Sequence, residues 1–212
     1  MPRAILFANG DPPNPEIARR LIRPDDLLIA ADGGARHASS LGLTPSLLIG
    51  DFDSLSAEEL DKFSRAGASL RRYPPEKDET DLELALDYAL KIGCAPILIL
   101  GAYGGRLDQS IGVLSLLSAP ACIAARVRAD DGQTEAFFID RQAEISGSPG
   151  DTVSLLAWGA PAHGIVTKNL QYPLNGETLS PHRTRGVSNL MTAEKASVSL
   201  TGGLLLCVHI RK

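Results

Sequence analysis

Residues Gly50–Ser54 read Gly-Asp-Phe-Asp-Ser and directly follow a short apolar run, Leu47–Ile49. If that run is a strand, Asp51 and Asp53 leave its carboxyl end close together. Two carboxylates about 5 Å apart repel by about 3 kcal/mol at an effective dielectric of 20. Mg²⁺ relieves such repulsion, because it prefers hard oxygen ligands and binds through one or two carboxylates together with substrate phosphates. Other acids stand in comparable settings. Asp32 in Ala-Asp-Gly-Gly follows Leu27–Ala31, and Asp78 and Asp81 in Lys-Asp-Glu-Thr-Asp open a strong helical pattern. Asp108 in Gly-Gly-Arg-Leu-Asp follows Ile97–Leu100. Acids repeatedly placed at strand ends and helix starts predict one shared site, since ligands of open α/β sheets bind outside the carboxyl ends of the strands.

Each segment also has a plainer reading. Asp53-Ser54 would serve as the cap of a helix starting near Ala57. Thr80 with Glu83 fits a capping box, and Asp81 in a first helical turn is favoured by the helix dipole. Lys77 either meets a phosphate or is solvated. Gly104-Gly105-Arg106 offers close backbone approach, a following helix N-terminus and a fork of donors, all suited to phosphate. Asn9-Gly10-Asp11 and Asp32-Gly33-Gly34 repeat that argument in weaker form. Arg185-Gly186-Val187-Ser188-Asn189 reads as a hairpin loop or strand start. Neither a Walker A sequence nor an early G-x-G-x-x-G is present. Of the histidines, His37 falls in a helical pattern, His209 in a terminal strand, and His163 and His182 in turn-like stretches; all four read as structural or solvated.

The elements that must position these residues alternate in the first half. Strand runs are Ala4–Ala8, Leu27–Ala31, Leu47–Ile49, Leu70–Tyr73 and Ile97–Leu100. Helical runs are Pro15–Leu21, Gly34–Leu41, Ala57–Ala66, Thr80–Ile92 and Leu107–Leu117. This predicts an α/β N-terminal domain, residues 1–120, with a mostly parallel sheet. After Pro120 only short β-like runs remain: Ile123–Val127, Glu135–Ile139, Thr152–Ala157, Gly164–Lys168, Ala196–Leu200 and Leu204–Ile210, with turn signals such as Asn175-Gly176. They predict a smaller all-β sandwich domain over residues 121–212, with Trp158 in its core.

The bulk properties narrow the function. A chain of 212 residues fits one domain or two modest ones at about 150 residues per domain. A net charge of −4 without a basic run argues against nucleic acid as the main partner. No apolar run approaches the ~20 residues of a membrane span. Three scattered cysteines, Cys94, Cys122 and Cys207, offer neither metal spacing nor a disulfide framework, which points to a cytoplasmic setting.

Taken together, Asp-Gly-Gly-Ala at 32–35, Gly-Asp-Phe-Asp-Ser at 50–54, Lys-Asp-Glu-Thr-Asp at 77–81, Gly-Gly-Arg-Leu-Asp-Gln at 104–109 and Gly-Val-Ser-Asn at 186–189 resemble the thiamine pyrophosphokinase family. The resemblance implies a homodimer in which ATP donates a pyrophosphoryl group to the hydroxyl of thiamine, releasing AMP. It implies an α/β domain for ATP and Mg²⁺ and a β-sandwich domain for thiamine. It makes Asp51, Asp53 and Asp81 the Mg²⁺ ligands and adds Asp78, Arg106 and Asp108 to the catalytic set. It makes Asn9, Asp32, Gly33, Lys77, Thr80, Gly104, Gly105 and Asn189 substrate-binding residues, with Ser188 and Gln109 contacts of the thiamine side. Gln109 stands where many bacterial members carry His, and residues 190–212 contain no aromatic residue on which thiamine is stacked in some members. Two alternatives share these motifs: a pyrophosphokinase for another heterocyclic alcohol such as a hydroxymethylpterin, and a non-catalytic nucleotide-sensing module.

Overall fold

The apolar runs of the first half become the inner strands of a parallel sheet. In the computed structural model, which describes all 212 residues, they appear in the order β1 (Ala4–Phe7), α1 (Pro15–Leu21), β2 (Leu27–Ala31), α2 (Ala35–Ser40), β3 (Leu47–Gly50), α3 (Ala57–Arg65), β4 (Ser69–Arg72), α4 (Asp81–Lys91), β5 (Ile97–Leu100) and α5 (Leu107–Leu117). Strands β1, β3 and β5 are buried along their whole length, as expected where helices cover a parallel sheet. Ile5, Phe7, Leu48, Leu98 and Leu100 pack with Ala18 of α1, Ala38 of α2 and Phe63 of α3. Helix α4 buries Leu82, Ala85, Leu86 and Ala89 and lies over β1, β2 and β3. Its apolar residues recur at helical spacing, so one stripe faces the sheet.

Pro120 does not end this unit. Pro120–Ala124 forms a short helix, α6, and Arg128–Asp130 forms β6, which pairs in parallel with β5. The strand expected over Ile123–Val127 is therefore corrected. Pro at the first helical position is preorganised for a helix, and Pro-Ala-Cys-Ile-Ala lacks the alternation of a strand. The chain divides into compact units at Met1–Gly132 and Gln133–Lys212, later than the 120/121 seam read from the sequence.

In the first unit the strand order is β6-β5-β1-β2-β3-β4. The chain winds outward from β1 through β2, β3 and β4, then returns to the other side of β1 with β5. The carboxyl ends of β1 and β5 thus flank the switch point at which such sheets bind ligands.

The second unit contains β7 (Thr134–Ile139), β8 (Gln142–Ser146), β9 (Thr152–Ala157), β10 (Ala162–Lys168), β11 (Asn175–Leu179), β12 (Asn189–Leu190), β13 (Lys195–Ser199) and β14 (Leu205–Ile210). Its strands pair antiparallel as β12-β9-β14-β7 and as β11-β10-β13-β8. Both groups contribute to one core, which includes Phe137, Ile145, Leu155, Ile165, Val198 and Leu205. Trp158 is half-buried, edge-on to Phe138 at 5.2 Å. Two turn readings are corrected here. Asn175-Gly176 opens β11 rather than forming a turn, with Gly176 skipped in the register against β10, and His163 lies within β10.

Candidate active site

The loops that leave the inner strands build the site. Asn9, Gly10 and Asp11 follow β1, a 3-10 turn over Asp32–Gly34 follows β2, Asp51 and Asp53 follow β3, and Gly101–Arg106 follows β5. With Asp81 and Leu82 from the start of α4 and Gln109 and Val113 from α5, they line a cavity of about 540 Å³. That volume suits a nucleotide-sized ligand. The loops after β1 and β5 are joined across the switch point, Gly10 N–H donating to Gly101 O (2.8 Å) and Asp11 N–H to Tyr103 O (2.7 Å). His37 braces the same loop, its Nε2 lying 2.9 Å from Gly10 O. Gly104 packs directly on Asp11: a Cβ on it would fall 1.9 Å from Asp11 Cγ.

Asp32, Asp51 and Asp53 converge, each offering a carboxylate oxygen, with all these oxygens within 4.8 Å of one another. Asp32 is only 5% exposed. Its Oδ2 accepts a hydrogen bond from the Ser54 hydroxyl, while its buried Oδ1 has no partner. An unpartnered buried carboxylate oxygen costs free energy unless something pairs with it. Three hard oxygen donors in this arrangement fit Mg²⁺. Asp81, which the resemblance groups with Asp51 and Asp53, lines the same cavity and shares Lys77 with Asp51: the Nζ lies 3.0 Å from Asp81 Oδ1 and 3.1 Å from Asp51 Oδ2.

The charges are coupled through this geometry. The Asp53 N–H (3.1 Å to Asp51 Oδ1) and Lys77 together hold the Asp51 carboxyl below its ordinary range. Burial pushes Asp81 up, and the neighbouring Asp51 and Asp32 add to this, against the opposing pull of Lys77. Burial disfavours the Lys77 ammonium, but Asp81 and Asp51 more than offset it and its pKa is raised.

The plainer reading of Asp53-Ser54 as a helix cap does not hold. Ser56 caps α3 instead, in a reciprocal capping box with Glu59, which leaves Asp53 to the cavity wall and the Ser54 hydroxyl to Asp32. The loop is further held by Arg36, which donates to Ser54 O (2.6 Å) and to both oxygens of Glu59 (2.6 and 2.9 Å). That fork keeps the Glu59 carboxyl down at about 2. Arg72 donates to Asp51 O (2.8 Å) and lies over the Phe52 ring. Thr80 caps α4 by accepting from Glu83 N–H (3.2 Å).

The structure does not gather every predicted residue. Arg106 lines the cavity but is bound to Asp108, Nη2 to Oδ2 at 2.5 Å. Asp108 is exposed, outside that cavity, and this contact lowers its pKa. It faces a smaller groove of about 250 Å³ with Thr80 and Gln109. Asp78 is exposed and lines neither. Gly33 and Gly105 stand in the turns after β2 and β5. In the second unit, Ser188 has a left-handed backbone (φ 60°) and its N–H donates to Ser154 Oγ (3.0 Å). Asn189 is engaged with the backbone of Tyr172, accepting from its N–H (2.9 Å) and donating to its carbonyl (2.7 Å). Sequence reasoning missed Ser54, Arg36, Arg72 and Tyr103. Ser54 sits inside the strongest motif, so its hydroxyl was the one available signal.

Acids and glycine turns meeting at the switch point of a parallel sheet define an α/β protein with a ligand site suited to a cation and phosphate. The family model "Thiamin pyrophosphokinase, catalytic domain" matches residues 18–129, and "Thiamin pyrophosphokinase, vitamin B1 binding domain" matches 139–205. The chain belongs to the thiamine pyrophosphokinase family and is a diphosphotransferase. The Bacillus subtilis thiamine pyrophosphokinase is 29% identical over 185 residues, covering 86% of both chains. Thiamine pyrophosphokinase 1 of Oryza sativa subsp. japonica is 23% identical over 214 residues, covering 87% of this chain and 79% of its own. Among solved structures, thiamin pyrophosphokinase from Geobacillus thermodenitrificans superposes with a TM-score of 0.82 at 25% identity, over 100% of this chain and 98% of its own. The Bacillus subtilis enzyme superposes with a TM-score of 0.88 at 24% identity over 99% of each, a likeness of fold. No helix is long and apolar enough to cross a membrane.

Proposed function

We propose that this chain transfers the pyrophosphoryl group of ATP to the hydroxyethyl oxygen of thiamine, giving thiamine diphosphate and AMP, with Asp32, Asp51 and Asp53 as the centre of the donor site. The observation that carries the reading is the convergence of these carboxylates, one with an unpartnered buried oxygen, in a nucleotide-sized cavity at the switch point. A Mg²⁺ held by them would neutralise polyphosphate charge. The glycine turn at Gly104-Gly105 leads into α5 and offers backbone N–H groups to phosphate. Arg106 lies on the wall, where exchange of Asp108 for a phosphate oxygen would place its guanidinium on the transferred group.

The thiamine oxygen attacks the β-phosphorus in line. The bond from that phosphorus to the bridging oxygen breaks, and the oxygen leaves on AMP. Asp108 and Asp78 are both exposed, and neither lines the cavity. Positioning and charge stabilisation therefore supply most of the rate, with the alcohol proton lost late to solvent or to a carboxylate. Ser188, in the unit that matches the vitamin B1 binding domain, is assigned to the acceptor. Thiamine is favoured over a pterin alcohol because the second unit matches a vitamin B1 binding domain. A homodimer in the cytoplasm completes the reading. Leu107 and Ile111, 76% and 51% exposed and one turn apart on α5, support contact with a second copy, which the mass measured in solution checks.

The test is mass detection of products from purified protein, ATP, Mg²⁺ and thiamine. Thiamine diphosphate with equimolar AMP is expected; ADP, or no product, overturns the reading. Asp51→Asn is expected to lower kcat about 10²-fold or more while the fold persists, on the scale of losing one preorganised charge-stabilising group.

A further inference from the structure

Lys77 has an unusual post. Its side chain is 10% exposed, and its ammonium bridges Asp51 and Asp81 at 3.1 and 3.0 Å. Asp51 also belongs to the group with Asp32 and Asp53 whose oxygens lie within 4.8 Å of one another. One carboxylate is therefore shared between an internal cation and the place a divalent ion would take. An ammonium is a compact point charge on a flexible stem and can move between partners. The stem reaches in from the β4–α4 connection, whose backbone is fixed just beyond it by the Thr80 cap.

We propose that Lys77 is a built-in counter-ion that makes the pocket refuse a free divalent cation and accept one together with a polyphosphate. In the nucleotide-free protein its positive charge lowers the attraction of the acids for a free ion. When polyphosphate arrives, its oxygens give the ammonium a new partner, Asp51 is released to the metal, and charge stays balanced throughout. The pocket then loads the metal–nucleotide complex rather than the metal first. This rests on the assignment of the carboxylates as the metal site. It concerns the order of loading, which the reaction alone does not reveal.

The probe is Mn²⁺ alone, followed by its electron paramagnetic resonance signal, with inorganic pyrophosphate added in a second arm. Wild type is expected to bind Mn²⁺ weakly without pyrophosphate and at least tenfold more tightly with it. Lys77→Met is expected to bind free Mn²⁺ at least tenfold more tightly than wild type and to lose most of the enhancement by pyrophosphate, while Lys77→Arg restores the wild-type pattern. Free Mn²⁺ bound equally by wild type and Lys77→Met would overturn the proposal. If Lys77→Met unfolds without metal, Mn²⁺ is expected to refold it; a chain neither folded nor rescued by Mn²⁺ also overturns it. Turnover of thiamine by the same wild-type preparation separates the two readings. Turnover with unchanged Mn²⁺ affinity in the variant sinks the counter-ion alone, whereas lack of turnover sinks the functional reading and leaves the Mn²⁺ comparison to stand by itself.

Discussion

Gly50 closes β3 directly beneath the acids, and replacing it with alanine tests whether their spacing matters. A Cβ there would lie 3.1 Å from Asp32 Cβ and 3.1 Å from Asp81 Cγ. Neither neighbour can step aside freely. The Asp32 Cβ moves only with its backbone, which is part of the 3-10 turn, and the Asp81 carboxyl is tied to Lys77. The neighbours must yield a few tenths of an ångström, an overpacking that costs about 1–2 kcal/mol, and the φ of 156° at Gly50, which an L side chain rarely adopts, adds about 1–3 kcal/mol. At about 2–4 °C per kcal/mol for a chain of this size, Tm should fall by about 4–20 °C. A misplacement of about 1 Å in a reacting constellation costs about 10²-fold, so a shift of a few tenths of an ångström in carboxylates on two elements should lower the rate by about 3- to 10-fold. The assay is kcat/KM for ATP at saturating Mg²⁺ and thiamine, with calorimetry on the same sample. Gly112→Ala provides the contrast. It lies in α5 with nothing within 4 Å of its Cβ, so it should gain about 0.5–1 kcal/mol of stability. Wild-type kcat/KM in Gly50→Ala would refute the argument, because it would mean that the acids function without the spacing this glycine permits.

The second unit should respond to pH through His209. Its ring is fully buried, with Nε2 at 3.0 Å from Asp151 Oδ2 and Nδ1 at 3.7 Å from Glu135 Oε2. Burial opposes its charge, but the neighbouring Glu135 carboxylate and the hydrogen bond to Asp151 prevail and the pKa is raised above 6.5. Its contribution is therefore full below about pH 6.5 and fades as pH rises through the raised native value. Asp151 behaves oppositely. Burial opposes its charge, yet Ser148 N–H, Lys212 N–H and His209 hold it below 3.8, so its contribution is present above that pH and fades on acidification through the lowered value. Tm measured from pH 6 to 9 should decline in wild type and stay flat in His209→Asn; equal slopes would count against the pair. Ser56→Ala removes the α3 cap and should cost about 1 kcal/mol, read by denaturant midpoint, with kcat reduced because the same capping box anchors the Arg36–Glu59 clamp on the Asp51–Ser54 loop.

The elements of the first unit were legible because buried parallel strands are continuous apolar runs and α4 repeats at helical spacing. The positions of the acids at strand ends were legible for the same reason, since locating a strand locates its end. Their grouping was not. Whether Asp32 or Asp81 joins Asp51 and Asp53 depends on side-chain direction, which is set by backbone that regular periodicity does not describe. Asp32 and Phe52 have φ of 43° and 63°; Asp32 meets the Ser54 hydroxyl and Phe52 is buried in the core of the first unit while its two flanking acids reach the cavity. Arg106 and Asp108 lie two residues apart and satisfy each other locally, so spacing alone could not place Asp108 outside the cavity. Nor did the unit seam show, because Pro120 starts a helix as readily as it ends a unit.

Non-glycine residues in left-handed conformations cost of order 1–3 kcal/mol where packing must enforce them. In this chain there are five: Asp32, Phe52, Arg126, Asn169 and Ser188. Three of them, Asp32, Phe52 and Ser188, fall within the short motifs that carry the family resemblance. Stability alone would favour glycine or asparagine at such positions. At Asp32 that exchange would delete the buried carboxylate. At Phe52 it would empty a filled core site and remove the ring beneath Arg72. At Asp32 and Phe52 the strain is thus tolerated where the side chain is needed for something other than the turn, and these two outliers mark the same two motifs as the acid cluster does, on grounds that involve no charge at all.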